Sequence, residues 1–87
     1  MVMGGWSKFS PISKEGKEIL KEALGTPLGV KYEGFAMATQ VVEGHNYKFL
    51  CNAETVTLKG HDYVAEILVY CAPKKGPELI SINITDC

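Results

Sequence analysis

Between Ile12 and Leu24 the apolar residues Ile12, Ile19, Leu20, Ala23 and Leu24 recur near steps of three, four and seven, with lysines and glutamates between them. That spacing predicts one amphipathic helix. Ser10-Pro11 offers a cap and a first helical position, Gly25 a stop, and Pro27 prevents continuation. Gly16 weakens the middle, and Lys14, Lys17, Lys21, Glu18 and Glu22 make a solvated face. From Val30 onward the texture becomes β-branched and aromatic with a period of two, which predicts four strands at about 30–42, 46–57, 62–72 and 78–85. The intervening turns fall at Glu43-Gly44, Lys59-Gly60 and Pro73 to Pro77. Tyr47, Phe49, Cys51 and Ala53 are expected on the inward face, as are Tyr63, Ala65, Ile67, Val69 and Cys71, and then Ile80, Ile82 and Ile84. Residues 1–9 are apolar with two adjacent glycines and no period, so they read as a flexible arm, with residues 6–10 as a candidate short fifth strand.

One amphipathic helix and one single-faced sheet are stable when their apolar faces pack together. The expected fold is therefore α+β: an N-terminal helix on a curved antiparallel sheet of four main strands. Strand counting then puts the Glu43-Gly44 turn and the Pro73 to Pro77 loop at the same end of the sheet. The Lys59-Gly60 turn lies at the other.

Composition narrows the classes of function. The chain has 87 residues, 46% of them apolar, which suits a single domain over 1–87. Its net charge is −1, and all nine basic residues are lysine. Without arginine, the side chain that grips phosphate and guanine in a bidentate way, a nucleic-acid partner is not expected. No apolar run approaches the ~18 residues of a membrane span, so no membrane partner is expected either. The N-terminus lacks an apolar signal core, and three cysteines cannot all pair within one chain. Both features favour the cytoplasm over secretion, whereas Asn83-Ile84-Thr85 would be a glycosylation acceptor in a secreted protein. Cys51, Cys71, Cys87, His45 and His61 show no metal-ligand or thiol-enzyme spacing, so neither a metal, a cofactor nor an enzymatic activity is expected. Cys51 and Cys71 share the inward face of adjacent strands and read as small buried hydrophobes, with an interior bridge between them as the lesser alternative. A Cys71 to Cys87 bridge is excluded, because the two lie eight residues apart along the strand, roughly 26 Å.

The turn carries a recognisable motif. Gln40-Val41-Val42-Glu43-Gly44 resembles the QxVxG first hairpin of the cystatins, and Asn46-Tyr47 follows where that family often has similar residues. Gly4-Gly5 after Met1-Val2-Met3 resembles the N-terminal glycine of the disulfide-free cystatins, the stefins, and Pro73 falls where the family's second hairpin loop begins. The resemblance covers nearly the whole chain. It implies a cystatin-like fold and reversible, competitive inhibition of papain-like cysteine proteases, with the arm and two hairpins forming a wedge that enters the active-site cleft. The residues it implicates are Met3, Gly4, Gly5, Gln40, Val41, Val42, Glu43, Gly44, Pro73 and Lys74. Val41 and Val42 are stiff and β-branched, so an exposed loop carrying them would lose little entropy on docking.

Two departures from the family pattern stand out. Glu43 puts a carboxylate where a small apolar residue is common, and the second loop lacks the tryptophan that follows the proline in secreted cystatins. In those relatives a C-terminal cysteine pairs with one early in the third strand, a position held here by Ala65. Two further readings stay open. One is a non-inhibitory binding module on the same fold, using the sheet surface, an edge strand or a domain-swapped dimer in place of the monomer. The other is a cysteine-dependent enzyme, which would need an exposed thiol of low pKa.

Overall fold

A computed structural model describes residues 5–26, 29–56 and 62–85. The element order is β1 (Ser10–Pro11), α1 (Lys14–Leu24), β2 (Val30–Val42), β3 (Gly44–Thr55), β4 (Asp62–Cys71) and β5 (Pro77–Thr85). The strands form one antiparallel sheet in the order β1-β2-β3-β4-β5, and α1 packs on one face of it, an α+β arrangement. Thirteen residues in β2 span ~43 Å, close to the 46 Å long axis of the molecule. The eleven residues of α1 reach only ~16 Å, much less than the length of β2. Among the described residues no helix is long and apolar enough to cross a membrane.

Alternation along β3 and β4 builds the core. Phe49, Cys51, Ile67 and Val69 are fully buried and meet Leu20 of α1, with Ile12, Ile19, Met37 and Tyr47 packed around them. Two glycines set how closely the layers approach. A Cβ on Gly16 would lie 2.7 Å from the Met37 sulfur, and one on Gly34 would lie 2.7 Å from Ile12 Cδ1. Gly16 therefore stands at the contact between helix and sheet, and its cost in helix propensity is offset by that approach.

The helix starts later than its pattern predicts. Ser13, not Ser10, is the N-cap: its hydroxyl oxygen accepts from the Gly16 N–H at 2.9 Å. Ser10–Pro11 instead forms β1, opposite Met37 and Ala36. Proline has no N–H to donate and is tolerated on such an edge. At the other end Gly25, with φ of 64°, caps the helix by donating to the Lys21 carbonyl. Of the two expectations for residues 6–10, a flexible arm or a short strand, pairing along β2 favours the strand. Trp6 bridges to Gln40, the Ser7 N–H donates to the Thr39 carbonyl at 2.8 Å, and the Thr39 N–H donates to Ser7 Oγ at 2.9 Å. Lys48 Nζ sits 4.2 Å from the Trp6 ring centroid, a cation–π contact across the outer face. From residue 6 the chain thus runs along the edge of β2 instead of hanging free.

Two bulges shift the alternation. The register of β2 slips between Gly34 and Ala36, which leaves Phe35 without a cross-strand partner and 44% exposed. The Phe35 carbonyl accepts from the Ile12 N–H at 3.2 Å, so the bulge anchors the lead into the helix. The second slip, between Leu68 and Val69, puts Leu79 opposite Val69 and leaves Ile80 unpaired. Ile82 and Ile84 do share the inward face with Ile67 and Ala65. They nevertheless remain 39% and 62% exposed, and Ile80 is 50% exposed. The expected burial of these three isoleucines is not realised. The Lys59-Gly60 turn, Pro27, His61 and Cys87 lie outside the described residues.

Candidate protein-binding edge

The chain reverses between β2 and β3 with almost no loop. Val41 pairs with His45 and Val42 with Gly44, so Glu43 is the single residue at the tip. Gly44 makes this reversal, with φ of 96°, in the region that L side chains avoid. A Cβ there would also collide with the Cys71 carbonyl oxygen and crowd Ala72 and Pro73. The first turn thus lies directly against the start of the β4–β5 loop. A hydrogen bond fastens the two: the Tyr70 hydroxyl donates to the Glu43 carbonyl at 2.6 Å.

The second loop is itself a tight turn. The Lys75 N–H donates to the Ala72 carbonyl at 3.1 Å, with Pro73 at the first central position and Lys74 at the second with φ of 61°. Proline followed by a positive φ is the signature of a type II turn, in which glycine is the usual occupant of the second central position. Pro73, Lys74 and Lys75 are all exposed.

Behind the tip the sheet is stiffened. On the outer face the Asn46 amide donates to Gln40 Oε1 at 2.8 Å, and the Trp6–Gln40 bridge brings the arm to the same row. On the inner face His45, Tyr47 and Phe49 stack at 6.1 and 5.8 Å between ring centroids, joining the turn to the buried core through offset aromatic packing. Glu43 is exposed, whereas Val41 and Val42 are only half-exposed because both still belong to β2. The freely exposed valines expected from the motif are not found. Of the arm residues implicated by sequence, Gly5 is exposed beside Trp6, and Met3 and Gly4 lie outside the described residues.

No family model, characterised protein or solved structure matches this chain. The edge is therefore read on its own geometry: residues from three distant parts of the sequence, around Gly5, Glu43 and Pro73, border one end of the sheet. Sequence reasoning names the tip residues and expects Trp6 to pack near the sheet or the base of the arm, where it lies, but misses Tyr70, which ties the two turns together. Pairing β3 with β4 from the Glu43-Gly44 turn would have found Tyr70, since it stands opposite Asn46.

The thiols have a different character. Cys51 is free and fully buried, and burial pushes its thiol up to about 11. Cys71 is free and half-buried, and burial, followed by the nearby Glu22 carboxylate, raises it too. Both shifts disfavour the thiolate, so neither thiol has the exposed, low-pKa character that nucleophilic catalysis needs.

Proposed function

We propose that this chain is a cystatin-like inhibitor that reversibly occupies the active-site cleft of papain-family cysteine proteases. The observation that carries the reading is the contact of the Glu43-Gly44 turn with Cys71, Ala72 and Pro73, fastened by Tyr70 and flanked by the arm at Trp6. Such an edge is pre-organised: strand pairing runs to Val42 and Gly44, so little backbone entropy is left to lose on docking. Val42 supplies apolar surface just behind the tip. Glu43 stays at the rim, where its carboxylate keeps water. Lys74 and Lys75 project from the second loop and favour an acidic rim on the target, an effect expressed in association rate and screened by salt. Inhibition needs no covalent step, because the turns enter the cleft without offering it a peptide bond in a substrate's register.

The test is the inhibition of papain by the whole chain, measured as competitive inhibition against a small peptide substrate. Pro73→Ala and removal of residues 1–4 each weaken binding, and added salt slows association. Absence of inhibition by the unaltered chain at micromolar concentration refutes the proposal.

A second reading, a binding module that uses an edge strand, draws on β5. It is an outer strand of the sheet, and Leu79, Ile80, Ile82 and Ile84 leave it apolar and exposed. Long apolar edges of this kind are templates for pairing with another chain. Concentration-dependent self-association in gel filtration, without protease inhibition, distinguishes this case.

A further inference from the structure

The opposite end of the molecule holds a cavity of about 550 Å³ between the second half of α1 and the first half of β2. Its position follows from the topology. On one side Val30 to Gly34 pair with Thr55 to Cys51 of β3. On the other side β1 reaches only Ala36 and Met37, and Ile12 takes the Phe35 carbonyl. Among the described residues nothing pairs with the outer edge of Val30 to Gly34. An unpaired strand edge thus borders a groove whose other bank is the helix.

The walls of the groove are apolar: Leu20 and Leu24 from α1, and Val30 and Tyr32 from β2. Val56, 70% exposed, closes one end, where its N–H donates to the Gly29 carbonyl at 2.8 Å. The helix bank of the rim is basic, with Lys17 and Lys21 one turn apart, whereas on the strand Lys31 and Glu33 alternate with the inward Val30, Tyr32 and Gly34 and lie on the outer face, where Lys31 stands opposite Glu54. The volume lies within the ~300–1,000 Å³ of ligand-binding clefts, but the free backbone edge is what selects the ligand class. An amphipathic small molecule would satisfy the walls and the lysines and leave the N–H and C=O groups of the strand to water. An extended peptide satisfies all three.

We propose that the groove between α1 and β2 binds an extended peptide segment, added as a further strand on Val30 to Gly34, with aliphatic side chains against Leu20, Leu24 and Tyr32 and flanking carboxylates held by Lys17 and Lys21 of the helix. Main-chain hydrogen bonds supply affinity, the apolar walls accept alternate side chains of the added strand, and the lysines select acidic sequences. This site is separate from the proposed protease-binding edge, so one chain holds both partners at once.

The experiment uses the whole chain and an acetylated, amidated peptide of sequence Asp-Glu-Val-Thr-Val-Glu-Asp, followed by amide NMR. Saturable shifts at Val30 to Gly34, with slowed hydrogen exchange of the edge amides, are the expected result. Replacing the four acidic residues of the peptide by lysine weakens binding by at least about tenfold, as does K17E/K21E in the protein. Both lysines are solvent-exposed on the helix, and unchanged β3 and β4 resonances verify that the variant keeps its fold. N-methylating alternate peptide amides abolishes binding even though charge and shape are retained. Equal binding of the acidic and basic peptides, undiminished binding of the N-methylated peptide, or no shift at millimolar peptide overturns the proposal. So does saturation of Leu20 and Leu24 by decanoate with no response to peptide, which would assign the groove to an amphipathic anion.

Discussion

Substituting Gly44 by alanine tests the joint on which the proposed edge depends. Two costs add. Holding an L residue at φ of 96° costs about 1–2 kcal/mol. The new methyl also meets the Cys71 carbonyl oxygen and Ala72 Cα, which are backbone atoms and move only with β4. Overpacking of that kind costs about 1–3 kcal/mol, so Gly44→Ala is expected to destabilise the fold by about 2–5 kcal/mol. Two controls separate the contributions. Gly25 has φ of 64° but open space around its would-be Cβ, so Gly25→Ala carries the conformational cost alone, about 1–2 kcal/mol. Gly76 lies outside the positive-φ region, and its Cβ meets only the flexible Glu22 carboxylate at 3.2 Å, so Gly76→Ala is near neutral. Urea unfolding of the three variants gives the ordering directly, since the midpoint shifts at constant slope. For a domain of this size each kcal/mol lowers Tm by about 4–8 °C. Loss of slow exchange at the Tyr70 hydroxyl in Gly44→Ala would report separation of the two turns. If Gly44→Ala falls no further than Gly25→Ala, the contact between the turns is not as tight as described and the reasoning fails.

Three more outcomes are expected. Because Cys51 keeps its proton up to about 11 in the folded state and releases it near 9 once unfolded, the unfolded chain binds fewer protons between those values. Stability is therefore retained below pH 9 and lost as pH rises from 9 to 11, by about 2–3 kcal/mol, and Cys51→Ala should flatten that part of a stability-versus-pH curve. Ser13→Ala removes the acceptor for the Gly16 N–H and should cost about 1 kcal/mol in chemical unfolding, whereas Ser10→Ala costs clearly less. Ile84→Lys places a charge on the exposed inner margin of β5; it should leave stability within about 0.5 kcal/mol and lower any self-association seen in gel filtration.

Much of this architecture is legible in the order of side chains. Periods of 3.6 and then 2 specify one helix followed by four long strands, because each element has a single apolar face to bury. The bounds of β2 and β4 and the inward positions of Phe49, Cys51, Ile67 and Val69 follow from that alternation. So does the meeting of the Glu43-Gly44 turn with the Pro73 loop, since antiparallel strands return every second turn to the same end. Other features were settled only by long-range contact. Ser10-Pro11 has the local chemistry of a helix start, yet the edge of β2 competes for it and Ser13 caps in its place. Residues 6–10 read both as arm and as candidate strand, and partners of Trp6 and Ser7 more than thirty residues away decide for the strand edge. A bulge adds one residue without disturbing composition, so neither the exposure of Phe35 nor the displaced phase of β5 leaves a mark on the hydrophobic pattern. The fate of Ile82 and Ile84 is likewise not encoded by alternation: both turn to the inward face and still remain exposed. Side-chain periodicity determines which face an element turns inward, and only the packed structure decides how much of that face finds a cover.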